Sequence, residues 1–369
     1  MANEVKKTYA TAARRWEGVG PYYAMFPTHF ADAVISEYSS RGDTILDPFA
    51  GRGTAIFSSA ICERFGVGVE INPVGWVYTK AKINPAPFDS VLARLLEIGW
   101  LADEYVAEAN ALPKFFQRCY SHLVCCFLLA ARANLDWRRN KCDRTLMALL
   151  LVYLHGKKGQ ALSNQMRQTK SMSPTYALKW WEERGMEPPA LNPIDFIEQR
   201  LHWRYAKGTI CQNKSQVFLG DTIAHLPMLN NWLAKQQLPK PSLLLTSPPY
   251  CGVTNYHYDQ WLRLWLLGFP ADAYMNLGPY QGRFKNQHAY QKLLNKVFLR
   301  AASIVKDDAV IYVRTSNSTF TKEATLNALR QAFPCKKLDC QIKPFTKPTQ
   351  THLFGDKTKK DGEVDLILS

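Results

Sequence analysis

The sequence predicts an α/β fold: a doubly wound sheet whose working edge is assembled from several strand ends. Three observations predict it. Short apolar runs at 44–46, 67–69, 217–219 and 243–245 have strand length and are bounded by turn residues. The first is followed by a glycine-bearing turn and an apolar stretch, Ala55 to Ile61, of helical character. The last runs into Thr246-Ser247-Pro248-Pro249-Tyr250, where two prolines fix φ and cannot donate to a ladder, so the backbone leaves the sheet stiffly. Open α/β sheets bind ligands at the carboxyl ends of their strands.

The elements follow in chain order. Asp43-Thr44-Ile45-Leu46-Asp47-Pro48-Phe49-Ala50-Gly51-Arg52-Gly53-Thr54 reads as strand, glycine turn and helix start. Its glycines allow close backbone approach, and the helix start offers N–H groups to a polar or anionic ligand. The third glycine of a dinucleotide fingerprint would fall at Ile56, which argues against that reading. Arg52 is expected at the rim of the turn. Phe65 to Asn72 reads as a second strand ending in an acid, Glu70, placed to accept from ribose hydroxyls. Val217 to Asp221 is a strand ending in Gly-Asp. Ala309 to Val313 is a further strand, and Glu363 to Leu368 is expected as a final strand at the sheet edge.

Between the second and third of these elements lie roughly 120 residues, about Phe88 to Lys207, with helical length and apolar content at 88–111, 115–135 and 144–154. From Trp137 to Trp181 nine Lys or Arg face a single acid, Asp143. Basic and amide side chains together suit phosphate contact and base-edge reading. Lys157, Lys158, Arg167 and Lys170 are the candidate phosphate contacts; a structural insert with a solvated basic face is the alternative. Trp180 and Trp181 read as core.

Composition sets bounds. With 369 residues, 47% hydrophobic and 12% aromatic, the chain can bury one large or two ordinary cores. A net charge of +15 implies a phosphate-rich partner. No apolar run of membrane length and no signal-like segment appears, so no membrane partner and a cytoplasmic setting are expected. Nine cysteines without a Cys-x-x-Cys pair suggest reduced thiols and no metal site.

Taken together, these segments resemble the amino-methyltransferases of DNA, which use S-adenosyl-L-methionine (AdoMet). Asp47 to Thr54 is similar to motif I, Glu70-Ile71 to motif II, Gly220-Asp221 to motif III and Thr246 to Tyr250 to motif IV. Tyr22 to Phe30 resembles motif X, although an amphipathic amino-terminal helix would look much the same. The resemblance implies a Rossmann-like AdoMet methyltransferase with a doubly wound mixed sheet and an antiparallel last strand. Its catalytic domain would comprise 1–87 and 208–369, with 88–207 an inserted, mainly helical target-recognition domain. By the same resemblance AdoMet would be held by Phe26, Pro27, Asp47, Pro48, Phe49, Ala50, Gly51, Gly53, Thr54, Glu70, Ile71, Asp221 and Thr246. Ser247, Pro248, Pro249 and Tyr250 would grip the target base. Residues 343–354 would form a loop at the site rim, offering Lys343, Lys347 and Thr349 to phosphates. Ser-Pro-Pro-Tyr accompanies N4-cytosine enzymes more often and Asp-Pro-Pro-Tyr N6-adenine enzymes, so N4 of cytosine in double-stranded DNA is implied, with N6 of adenine the alternative. An RNA base methyltransferase and a catalytically inactive DNA-binding homologue stay open. The resemblance also implies a prokaryotic or phage origin and leaves room for a cognate restriction endonuclease.

Overall fold

A computed structural model of the protein describes residues 9–21, 26–210, 213–252, 256–274, 286–343 and 362–369. The chain divides into two compact units. One comprises Phe26–Ile71, Asn213–Asn255 and Leu277–Ser369; the other comprises Met1–Met25, Asn72–Gln212 and Tyr256–Asn276.

The first unit is a seven-stranded sheet. Its strands are β1 (Thr44–Asp47), β2 (Phe65–Glu70), β3 (Gln216–Leu219), β4 (Leu243–Thr246), β5 (Val310–Ser316), β6 (Leu338–Lys343) and β7 (Glu363–Leu368), in the order β3-β2-β1-β4-β5-β7-β6. The first five pair in parallel, while β7 runs antiparallel to both β5 and β6. Strand order reverses between β1 and β4, the switch point at which doubly wound sheets bind ligands. The mixed α/β class with an antiparallel last strand is therefore present.

Helices α1 (Thr28–Tyr38), α2 (Thr54–Ile61), α3 (Thr222–Lys235), α4 (Gln287–Ala302) and α5 (Thr319–Ala332) belong to this unit. Strand side chains alternate between two cores. Ile45, Leu243, Leu245, Tyr312 and Ile367 join Ala31, Val34, Ile35 and Ala55 of α1 and α2. Leu46, Leu244, Ile311, Val313 and Leu366 join residues of α3, α4 and α5. A strand covered on both faces needs apolar residues at every position, which explains the unbroken Leu243-Leu244-Leu245 run.

Two expectations are corrected here. Glu363–Leu368 is an interior strand paired on both sides, not the sheet edge. The edge is β6, so Lys343 ends a strand instead of opening a loop. Leu338, Cys340 and Ile342 alternate with Asp339, Gln341 and Lys343, but the segment is short and half polar, and Cys340 and Ile342 are exposed like Asp339 and Lys343. Lys347, Thr349 and the rest of 344–361 lie outside the described residues.

Glycines in β2 set the distance between strand and helix. A Cβ on Gly66 would lie 2.6 Å from the Ile56 Cα, and one on Gly68 would lie 2.5 Å from the Asp47 carbonyl oxygen and 2.7 Å from Ile56 Cδ1. Backbone cannot yield as a flexible side chain does. Gly68→Ala is therefore expected to destabilise the protein by roughly 1–3 kcal/mol through overpacking, seen as a lower denaturant midpoint with an unchanged m-value.

The second unit is helical and comprises residues 1–25, 72–212 and 256–276. The helix Pro73–Ile83, capped by the Asn72 side chain, packs on Lys141–Tyr153, with Trp76 edge-on to Trp137 at 6.0 Å. The helix Tyr256–Leu266 buries Trp261, Arg263 and Trp265. Arg263, fully buried, donates from Nε to the Leu151 carbonyl (2.9 Å) and from a terminal nitrogen to Gln260 Oε1 (2.8 Å). Trp181 is core, with its indole N–H on the Gln165 carbonyl, whereas Trp180 is half-buried beneath Arg184.

Candidate functional site

The carboxyl ends of β1 to β4 converge through hydrogen bonds between sequence-distant residues. Asp47, 2% exposed, closes β1. Its Oδ1 accepts from the Phe49 N–H (3.1 Å) and from the Thr246 hydroxyl (2.7 Å). The glycine turn and the Pro-Pro pentapeptide are thereby joined, although 199 residues separate the two partners. Burial pushes the Asp47 carboxyl up to about 7, against the two hydrogen bonds that favour its charged form.

Beyond Asp47 the chain turns through Pro48 to Gly53. Gly51 and Gly53 adopt φ of +55° and +71°, the left-handed region that other residues enter at a cost. The Ala50 N–H donates to the Val69 carbonyl at 3.1 Å, and the Gly51 N–H donates to Glu70 Oε2 at 2.6 Å. Glu70 thus organises the glycine turn besides ending β2. A Cβ on Gly51 would meet nothing within 4 Å, so the turn faces open space at that point. Gly53 occupies the N-cap position of α2, and no side chain caps that helix. Arg52 is buried, not at the rim, and its Nε donates to Thr54 Oγ1 at 3.3 Å. Nothing in the sequence distinguishes a buried arginine in a glycine turn from an exposed one.

The β3 end is tied to the same turn. The Gly220 N–H donates to the Glu70 carbonyl at 2.9 Å, and the Thr222 hydroxyl to the Pro48 carbonyl at 2.6 Å. Asp221 caps α3, accepting from the Ile223 N–H at 3.0 Å. Thr222 is a site-organising residue that sequence reading missed, since a threonine opening a helix carries no distinctive signal. Phe26 is buried edge-to-face with Phe30 (5.5 Å), and Pro27 sits at the N-cap of α1. Tyr22 to Met25 lie outside the described residues.

After Thr246 the pentapeptide buries both prolines and leaves Ser247 and Tyr250 half-buried. The Tyr250 hydroxyl donates to Glu363 Oε1 at 2.9 Å. Burial first, and then the Glu363 charge, raises the Tyr250 phenol well above its ordinary value. Ile71 is half-buried, and Cys251 packs against the α3–α5 core.

The comparisons bear on this constellation. Residues 2–75 match the DNA methylase family. The matched span contains Asp47, the glycine turn and Glu70; the pentapeptide lies outside it. The family takes in both N6 and N4 methylases, so the match over these residues does not choose a base. Two structures of the rRNA methyltransferase AviRa from Streptomyces viridochromogenes, at 1.5 Å and 2.4 Å, align at 12% identity. They cover 95% and 94% of this chain and 87% and 86% of theirs, with TM-scores of 0.32 and 0.31. No curated protein matches.

The candidate phosphate contacts fall in different places. Lys157 and Lys158 are exposed beside the bridges Gly156↔Gln165 and Lys158↔Ala161, and Arg167 is exposed nearby in the helical unit. Lys170 is ion-paired to Asp259 at 2.7 Å. Lys343 is exposed at the end of β6. No helix among the described residues is long and apolar enough to cross a membrane.

Proposed function

We propose that this protein transfers a methyl group from AdoMet to the exocyclic N4 amine of cytosine in double-stranded DNA. The observation that carries the reading is the Asp47–Thr246 hydrogen bond, which puts the glycine turn and the Ser-Pro-Pro-Tyr segment side by side. The residues fit AdoMet: an open position over Gly51, an uncapped helix start at Gly53-Thr54, and an acid at the end of β2. Glu70 would take the ribose, Ile71 would pack on the adenine, and Asp221 would meet the adenine amino group. Phe26 and Pro27 would close over the methionine end. When bound, AdoMet supplies an electrophilic methyl group.

This chain's own residues handle the amine. Its lone pair is conjugated into the base ring, so the nitrogen is a poor nucleophile. A serine hydroxyl has one proton and two lone pairs, so Ser247 can accept from the amine. That bond and a second to a proline carbonyl favour the sp3 form and aim the lone pair, a positioning effect. The base must leave the duplex first, and Tyr250 would stack on it.

The basic face of the helical unit would carry the DNA backbone. Replacing Lys157 and Lys158 together with Ala is expected to lower duplex affinity and reduce the salt slope by about 2, about one per lost phosphate contact. AdoMet affinity stays unchanged. Fluorescence anisotropy across a KCl series measures this, and an unaltered slope removes these lysines from the interface.

The function is tested by expressing the protein in a methylation-free bacterium and mapping modified bases at single-nucleotide resolution. N4-methylcytosine in one short motif is expected. N6-methyladenine would transfer the reading to the adenine branch, and AdoMet binding without transfer to duplex, single strand or RNA would defeat it. Methylation of nearly every copy of that motif is the expected pattern for a restriction–modification or defence setting.

A further inference from the structure

The pentapeptide's tyrosine is held from outside its own motif. Tyr250 Oη donates to Glu363, the first residue of β7, and Glu363 is itself fixed by its surroundings. It lies opposite Ser316 of β5 and Lys343 of β6 in the strand register. Arg314 Nε stands 3.9 Å from the Glu363 carboxylate. The same guanidinium grips the fully buried Asp365 through two hydrogen bonds, 2.6 Å from Nε and 2.7 Å from a terminal nitrogen. Tyr312 Oη donates to Asp365 Oδ2 at 2.8 Å, and Phe30 lies 3.5 Å beneath the guanidinium carbon. Bidentate pairing and stacking leave Arg314 little freedom. The acceptor for Tyr250 is thus mounted on a rigid strand pair.

We propose that Glu363 is a positioning residue for methyl transfer, holding the Tyr250 hydroxyl so that the ring stays where an extruded base must stack. This rests on the reading of Tyr250 as the base-stacking residue. A tyrosine ring has two side-chain torsions, and the Pro-Pro backbone stiffens neither. The bond to Glu363 comes from another strand and therefore sets the ring relative to the sheet. Small misplacements at a reacting centre carry large rate penalties.

The test is a cycle on the full-length protein. Glu363→Ala is expected to lower kcat on DNA about tenfold or more, with AdoMet affinity by calorimetry unchanged. Tyr250→Phe should give a similar loss, and the double variant should fall no further than the worse single variant, because both changes cut one contact. Glu363→Gln keeps an acceptor oxygen at the same reach and should recover most of the rate. Glu363→Asp, charged but one methylene shorter, should not, and it replaces the alanine variant if that fails to fold. Wild-type kcat in Glu363→Ala or Glu363→Asp, or losses that multiply in the double variant, overturns the proposal. A second readout needs no activity. With 3-fluorotyrosine at position 250, the fluorine resonance should show ring averaging in Glu363→Asp that the wild type lacks, and identical lines overturn the proposal. A wild-type protein that methylates no nucleic acid defeats the transfer reading instead, while the fluorine comparison still decides whether Glu363 holds the ring.

Discussion

Ser247→Ala is expected to lower methyl transfer about 10²–10³-fold while leaving AdoMet binding intact. Ser247 stands one residue beyond the strand end that Asp47 grips, and the two prolines after it are buried, so its backbone position does not depend on its hydroxyl. Removing the hydroxyl takes away the acceptor for the target amine. Loss of a single preorganised hydrogen-bonding group at a reacting atom reduces kcat by about 10²–10³. Stability should change by less than about 1 kcal/mol, because the residue is only half-buried and no core contact is lost. Transfer of a radiolabelled methyl group to duplex DNA, with calorimetric AdoMet binding on the same preparation, checks both halves. Full activity in the alanine variant removes Ser247 from the amine contact. Weakened AdoMet binding would instead place the serine in the donor half of the site.

The contrast between Ser247 and Glu363 shows what the sequence could reveal. Thr246 to Tyr250 and Asp47 to Thr54 are contiguous, and each has a composition forced by local geometry: prolines where the strand must end, glycines where φ turns positive. Such segments announce themselves in a single chain. Glu363 is one acid among 31 Asp and Glu, in a strand that carries a second acid, Asp365, two residues on. Its importance comes from an antiparallel pairing that places it beside a residue 113 positions away. The same limit hid β6, a six-residue strand of mixed polarity that is mostly exposed, and inverted the expected edge. Lys170 shows the same dependence on pairing across the fold. In a strongly basic stretch it reads as a phosphate contact, and its ion pair with Asp259, 89 positions on, cannot be seen there. Strand ends and turns were legible because local stereochemistry dictates residue type there; pairings across the fold were not, because any suitable acid or base could have served.

Asp47 sets stability and ligand affinity against each other, and pH separates the two. Its carboxyl is moved from 3.8 to about 7 by burial. Between those values the folded protein keeps a proton that the unfolded chain has lost. Stability falls with pH wherever the folded state holds more protons, so this group's contribution declines from about pH 4 through pH 7 and then levels off. A shift of that size corresponds to on the order of 4 kcal/mol as an upper bound. Asp47→Asn retains the shape and a carbonyl acceptor for Thr246 and Phe49 but never charges. The ligand-free asparagine variant should therefore gain stability over wild type as pH rises from 4 to 8, read as a growing difference in denaturant midpoint. AdoMet carries a net positive charge, which favours the ionised form of a carboxylate held beside it. Wild-type AdoMet affinity should rise across pH 7 while that of the asparagine variant stays flat and at least several-fold weaker at pH 8, the loss of a hydrogen bond to a charged group. Parallel stability curves would mean that Asp47 is ionised throughout. Equal affinities at pH 8 would mean that the carboxylate organises the turn through Thr246 without acting on the methyl donor.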